Sequence, residues 1–209
     1  MTASPSSTPD GPAPEIVLAA VTELGYQPRD LRRIVITHAH PDHVRGLAEL
    51  RELTRSQVLI HLADAAWLSG GRVPAGGRCG SIGTFVDRLP LLHWTPVKPD
   101  VDLIDNEIIQ GSNGLRVIHT PGHSPGHVCL LHEPTSTLLT GDAILNRGST
   151  PSHGPNFLAN DLAERDVSLA RLPDDITAVG FAHGAPLSGH AVEAYQHFRL
   201  TAADDHRPP

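Results

Sequence analysis

The chain has 209 residues, of which 39% are hydrophobic and 19% charged. No apolar run approaches the roughly 18 residues that cross a bilayer, so the composition predicts a soluble globular protein without a membrane segment. The formal net charge of −7 disfavours nucleic acid as a partner, because nucleic-acid binding requires clustered positive charge. Histidine is abundant, with 14 residues, and imidazole is both a common metal ligand and the side chain that titrates nearest neutrality.

The cysteines and the N-terminal segment favour a cytoplasmic protein. Cys79 and Cys129 stand alone and far apart, which indicates neither a disulfide framework nor a cysteine-based zinc site. Residues 1–14 have no basic start and no apolar core, so they are not a secretory signal, and their Ser and Pro content predicts a disordered tail. One domain is predicted over 15–203, followed by a polar tail over 204–209.

The elements predicted in chain order form two blocks of strands, each with helices attached. Hydrophobic spacing and β-branched runs predict helices over 15–24, 44–53, 63–68, 157–171 and 191–200, and strands over 33–37, 58–61, 107–109, 115–119, 127–131, 137–140 and 176–181. The glycine-rich residues 69–83 predict a loop, and Asn113-Gly114 predicts a tight turn. Stacked sheets with helices outside, a layered α/β arrangement, are therefore expected.

The densest chemical pattern is the sequence His-Ala-His-Pro-Asp-His at the end of the predicted strand 33–37. In an extended segment, residues i and i+2 point to the same side, so His38 and His40 can bind one metal ion together. Pro41 fixes φ and turns the chain, which presents Asp42 and His43 to a second position nearby. Nitrogen and oxygen ligands of this kind suit zinc.

This pattern resembles the signature of the metallo-β-lactamase superfamily, His-x-His-x-Asp-His. Three later segments are similar to further motifs of that family in the same order: Thr-Pro-Gly-His at 120–123, Thr-Gly-Asp-Ala at 140–143 and Ala-His-Gly at 182–184. The match runs from about residue 34 to residue 187. The resemblance implies an α/β fold of four layers, an αββα sandwich.

The resemblance also implies a centre for two metal ions per chain, with zinc expected and iron or manganese as alternatives. An ion with three protein ligands and an open position is typical of a catalytic site. Asp42 is the candidate for orienting the attacking water, or it serves as a ligand alone. The implied ligands are His38, His40 and His123 for the first ion, Asp42, His43 and His183 for the second, and Asp142 as a bridge between them.

The expected function is a dinuclear metal-dependent hydrolase, in which a hydroxide bridging the ions cleaves a small-molecule ester, thioester or lactone. Gly141-Asp142 makes the chain more similar to the thioesterase, lactonase and glyoxalase II branches than to true β-lactamases. Only 26 residues follow His183, so the glutathione-binding domain of glyoxalase II is not expected. Two alternatives stay open: a mononuclear iron oxidoreductase of the persulfide dioxygenase type, and a non-catalytic metal-binding member of the family.

Several further residues have no settled role in the sequence. His119 and His127 could support the ligands or be ordinary residues at strand ends. His153 and Arg45 could face the substrate, although an exposed position is the simpler interpretation for both.

The N-terminal part of the chain departs from the family pattern. Members usually have several strands before the His-x-His motif, whereas this chain offers a tail and one helix. The first sheet should therefore be short of strands and expose an edge. We expect either a homo-oligomer that covers this surface or a domain that lacks part of the usual fold.

Overall fold

The computed structural model describes residues 13–204. Its N-terminal half contains a parallel sheet and five α-helices. In that sheet β2 lies between β1 and β3 and pairs parallel with both. The elements are α1 (Pro14–Glu23), β1 (Arg33–Val35), α2 (Pro41–Val44), α3 (Leu47–Thr54), β2 (Gln57–His61), α4 (Leu62–Gly70), α5 (Gly80–Val86) and β3 (Val101–Leu103).

The C-terminal half contains a five-stranded mixed sheet, a separate hairpin and two helices. The elements are β4 (Leu115–His119), β5 (Val128–His132), β6 (Thr137–Leu139), β7 (Leu145–Arg147), β8 (Thr150–Ser152), α6 (Leu162–Leu169), β9 (Ala178–Gly180), β10 (Leu187–Ser188) and α7 (Val192–Asp204). The strand order is β10-β9-β6-β5-β4, and β7 pairs only with β8. Since β4, β5 and β6 form an antiparallel meander and β6 pairs parallel with β9, the strands β4, β6 and β9 run in one direction.

Side chains that alternate along the strands divide the core into three layers of apolar contact. On β2, Val58 and Ile60 pack with residues of α3 and α4 on one face, whereas Leu59 packs on the other face against Val117 and Val128 of the second sheet. On the far side of that second sheet, a further core cluster joins the sheet to α6 and α7. The order is helix, sheet, sheet, helix, which confirms the predicted αββα sandwich.

The predicted helix over 157–171 is too long. The backbone N–H groups of Asn160 and Asp161 both donate to the Gly122 carbonyl at 2.8 Å, so they cannot donate within a continuing helix. The Asp161 side chain then accepts from the Glu164 N–H and α6 begins at Leu162. A 3-10 helix, Asn156–Leu158, occupies the preceding turn.

Other boundaries differ for equally local reasons. The region of the predicted helix over 44–53 belongs to two helices, because α2 already begins at Pro41 and the helix is interrupted at Gly46 before α3 begins. The predicted loop over 69–83 ends early, since α5 begins at Gly80. The predicted strand over 107–109 reduces to one bridge between Ile108 and Arg116. The short strands β3, β7, β8 and β10 were not predicted, and their two or three residues are too few to show a period.

The predicted tails fall mostly outside the described residues. Of the residues 1–14, only the last two are described, and α1 begins at Pro14; of the residues 204–209, only Asp204 is described, as the end of α7. The described part of the N-terminal sheet has three strands, with β1 and β3 at its edges. Subunit packing over this sheet stays a prediction. Among the described helices, none combines the length and the apolar character needed to cross a bilayer.

Candidate metal centre

Seven residues singled out in the sequence meet at one edge of the two sheets. His38 and His40 follow β1, and α2 carries Asp42 and His43 directly afterwards. The other three follow the ends of strands that run in one direction, so the chain delivers them to the same edge: His123 after β4, Asp142 after β6 and His183 after β9. The Val128 N–H donates to the Thr37 carbonyl at 2.9 Å and joins the two sheets beside this edge.

The first group of donors consists of three buried histidines, His38, His40 and His123, whose ligand atoms lie within 4.8 Å of one another. His40 Nδ1 lies 2.8 Å from His123 Nε2. The Thr37 hydroxyl lies 3.2 Å from His38 Nδ1, so the His38 nitrogen left for a ligand is Nε2. Two strand-end segments of different sheets thus converge on one point.

The second group consists of Asp42, His43, Asp142 and His183, also within 4.8 Å. His43 Nε2 lies 3.3 Å from Asp142 Oδ1, and His183 Nε2 lies 3.2 Å from Asp42 Oδ2. The other oxygen, Asp142 Oδ2, lies 3.5 Å from both His183 Nε2 and His123 Nε2. Asp142 therefore contacts both groups, as a bridging carboxylate does.

Unpartnered atoms at this edge fit metal ions. The buried atoms His38 Nε2, His43 Nε2 and Asp142 Oδ1 have no hydrogen-bond partner, and buried polar atoms are otherwise almost always paired. Ligands about 2.1 Å from a tetrahedral ion lie about 3.4 Å from one another. The separations of 3.2 to 3.6 Å between the second group's nitrogen and oxygen atoms match that spacing.

Burial and neighbouring histidines keep the first group neutral. Burial is the largest cause that holds the pKa of His38 and His40 well below the usual range, and it lowers the pKa of His123 to about 4. Neutral imidazole is the form that binds metal ions. In the second group, hydrogen bonds to Asp142 and Asp42 raise the pKa of His183 to about 10 in the metal-free protein.

Asp142 is ionised within this cluster. Its burial raises the pKa, but the charge of the adjacent His43 and the hydrogen bond from His183 outweigh burial and hold the pKa of Asp142 well below the usual range. The carboxylate is therefore available as a negatively charged ligand for two cations at neutral pH.

His127 supports Asp142 from behind. Its fully buried ring accepts a hydrogen bond from the Asp142 N–H through Nε2 at 3.0 Å, and its Nδ1 lies 2.8 Å from the Thr120 hydroxyl. Because Nε2 accepts, the proton is on Nδ1. Gly141 has φ +51°, and an added Cβ there would lie 2.6 Å from His127 Nε2. This contact corresponds to the first of the two roles that the sequence left open for His127, the support of a ligand.

The remaining candidates lie away from the centre. His119 stacks on His61 with ring centroids 3.9 Å apart, and its Nε2–H donates to the Pro125 carbonyl. His153 lies 3.4 Å from Asp166 Oδ1. Arg45 donates to the Leu91 carbonyl. None of these side chains lines the cavity beside the metal ligands.

A cavity of about 340 Å³ opens beside the second group. Asp42, Asp142 and His183 form its floor, and Leu145, Leu158, Pro155 and Arg147 belong to its walls. The walls come from the β7–β8 hairpin and the segment that follows it. A small organic molecule can therefore reach the ligands of the second group.

Comparison with known proteins gives the same family as the motifs. Residues 7–183 match the model of the metallo-beta-lactamase superfamily. A hydroxyacylglutathione hydrolase of Cereibacter sphaeroides (strain ATCC 17029 / ATH 2.4.9) is 31% identical over 144 residues, which cover 68% of this chain and 44% of that protein. The probable metallo-hydrolase YqgX of Bacillus subtilis (strain 168) is 31% identical over 166 residues, 77% of this chain and 68% of that protein.

Solved structures agree with the fold. The crystal structure of TTHA1623 in a di-iron-bound form superposes with a TM-score of 0.66 at 28% identity, covering 90% of this chain and 84% of that chain. The chain spans about half the length of the hydroxyacylglutathione hydrolases it matches, 44 to 49%. The motifs, the αββα layers and the match over residues 7–183 together show that this chain belongs to the metallo-β-lactamase superfamily.

Proposed function

We propose that this protein is a dinuclear metal-dependent hydrolase that cleaves a small ester, thioester or lactone. The single observation that carries the proposal is the position of Asp142, whose carboxylate lies close to histidines of both donor groups. When bound, two ions at these groups would activate water and polarise the acyl oxygen of the substrate. The similarity to hydroxyacylglutathione hydrolases supports an acyl substrate.

Asp42 is the residue we assign to orienting the attacking water. Its side chain is about one-third exposed, at 34%, and borders the cavity. Burial raises the pKa of Asp42, but the hydrogen bond from His183 and the neighbouring His43 lower it below the usual range. The carboxylate is thus ionised and can accept a hydrogen bond from water at the second group.

The cavity walls favour a compact acyl substrate. Leu145 and Leu158 give one side an apolar surface, and Arg147 is the one arginine or lysine in the lining. Arg147 is exposed and has no hydrogen bond or ion pair with the described residues. A guanidinium in such a position binds a carboxylate well, so we expect acyl substrates that carry a carboxylate to be preferred.

Zinc is the ion we propose first, because its usual ligands are the nitrogen and oxygen atoms of these groups. Iron is the second candidate, since TTHA1623 has been crystallised in a di-iron-bound form. Two donor groups support a dinuclear centre over the mononuclear iron oxidoreductase. Residence in the cytoplasm remains a prediction.

Metal quantification coupled to a substrate panel tests the proposal. The purified protein is loaded with zinc or with ferrous iron, its bound metal is measured, and hydrolysis of esters, thioesters and lactones is followed. Two zinc ions per chain and turnover of at least one class are the expected results. One iron per chain with oxygen uptake would favour the oxidoreductase, and bound metal without any turnover would favour a non-catalytic protein.

A further inference from the structure

Asp64, outside both donor groups, makes three hydrogen bonds to the segments that carry the first-group histidines. Asp64 belongs to α4 and is fully buried. Its Oδ2 accepts from the Ala39 N–H at 2.9 Å and from the Ser124 hydroxyl at 2.6 Å, and its Oδ1 accepts from the Gly126 N–H at 2.7 Å. Both carboxylate oxygens are thus occupied by donors.

These three donors come from the segments that hold His38, His40 and His123. Ala39 lies between the first two histidines, and Ser124 directly follows the third. The first segment ends a strand of the N-terminal sheet, whereas the second connects β4 and β5 of the other sheet. One carboxylate therefore fixes the distance between two loops whose histidines would share an ion.

The loop is shaped to admit this carboxylate. A Cβ added at Gly126 would lie 2.6 Å from the Asp64 backbone nitrogen and 2.8 Å from Asp64 Oδ1. Real Cβ atoms do not approach so closely, so Asp64 can reach the loop only because residue 126 is a glycine. The close approach and the three hydrogen bonds are independent signs of the same contact.

We propose that Asp64 is a positioning residue for the metal site formed by His38, His40 and His123. The inference rests on the proposed metal centre and deepens it. Asp64 contacts neither the ion nor the substrate. It acts through the backbone beside His40 and His123, which it holds at the separation that a shared ion requires.

An Asp64→Asn variant tests the role with little change in volume. An amide has one acceptor and one donor. In one orientation its NH₂ faces the Ala39 N–H, and in the other it faces the Gly126 N–H, so one backbone donor loses its acceptor in either case. Loss of such an outer partner typically lowers metal affinity about 10- to 100-fold.

The matched control is Asp100→Asn. Asp100 also accepts a backbone N–H, that of Val58 at 2.8 Å, together with the Arg51 guanidinium at 2.7 Å. Val58 lies at the start of β2, whereas Asp64 follows the end of that strand. The two variants therefore remove the same charge and disturb the same kind of bond at opposite ends of one strand.

The experiment measures metal affinity by competition with a chromophoric chelator, in a His183→Ala background that weakens the second group. Thermal unfolding of the metal-free proteins and the absorption spectrum of bound Co²⁺ are recorded as well. We expect Asp64→Asn to lower affinity about 10- to 100-fold and to alter the Co²⁺ spectrum, and Asp100→Asn to change neither. If Asp64→Asn does not fold, Ser124→Ala removes one of the three bonds and should give a smaller loss of affinity.

The outcomes separate this inference from the proposed function. Equal affinity and equal spectra in the wild type and in Asp64→Asn would overturn the positioning role and leave the hydrolase intact. A wild type that binds two ions without hydrolysing any substrate would refute the proposed hydrolase function. Reduced metal affinity in Asp64→Asn would still support the positioning role in that case. A wild type that binds no metal ion would refute both.

Discussion

Replacing Asp142 by alanine should weaken the binding of both metal ions, whereas replacing His183 by alanine should weaken the binding of one. The reason lies in the two carboxylate oxygens: Oδ1 lies 3.3 Å from His43 Nε2, and Oδ2 lies 3.5 Å from His123 Nε2 in the other group. Among the described residues, the carboxylates that pair with His183 Nε2 are those of Asp42 and Asp142. Each ion thus loses a ligand in the first variant, and only the second ion does so in the other.

The expected loss of metal affinity follows from the binding free energy that one ligand contributes. A structural zinc site with four ligands contributes about 10–16 kcal/mol, or about 2.5–4 kcal/mol per ligand. At 1.4 kcal/mol per factor of ten, each lost ligand weakens metal binding about 60- to 700-fold. Asp142→Ala should show this loss at both ions, and His183→Ala should show it at one.

Stepwise chelator titration with metal analysis gives the measurement. The wild type should release two ions in steps, His183→Ala should retain one tight ion, and Asp142→Ala should retain none after gel filtration. Circular dichroism checks that both variants are folded. A single tight ion in Asp142→Ala, or the loss of both ions in His183→Ala, would refute the bridging role of Asp142.

Three further predictions concern other parts of the molecule. Burial raises the pKa of Cys129 to about 12, so iodoacetamide at pH 8 should modify only the partly exposed Cys79 in the folded protein. After unfolding both thiols should react, which mass spectrometry can show. Gly122→Ala should cost about 3 kcal/mol and lower Tm by about 6–12 °C, because an added Cβ would lie 2.2 Å from the Arg165 nitrogen; an unchanged melting curve would contradict this. Arg147→Gln should lower kcat/KM about 10- to 150-fold for acyl substrates with a carboxylate and leave neutral ones unchanged, with the exposed Arg29→Gln as control.

The part of the centre that could be predicted from sequence is the part written in short contiguous motifs. His38, His40, Asp42 and His43 lie within one hexapeptide, so their spacing alone indicates shared ligation. The later ligands required the resemblance to a family, because nothing in the chain between them shows that the ends of β4, β6 and β9 meet at one edge.

Asp64 could not be predicted in this way. Its partners Ala39 and Gly126 are 25 and 62 residues away in the chain, and a single aspartate on a helix has no local pattern that distinguishes it. The predicted start of the helix that became α6 was wrong for a related reason. The backbone N–H groups of Asn160 and Asp161 donate to the distant Gly122 carbonyl, and hydrophobic spacing carries no information about such tertiary contacts.

Each donor group draws its members from both halves of the fold, so an ion bound to either group would link the two halves. His38 and His40 belong to the N-terminal half and His123 to the C-terminal half, so an ion bound there is a cross-link between the halves. By mass action, free metal at 100 to 1,000 times its dissociation constant adds about 2.7–4.1 kcal/mol per ion to the free energy of unfolding. Ions bound at these groups would therefore also hold the two sheets together, and withdrawal of the metal would weaken the fold.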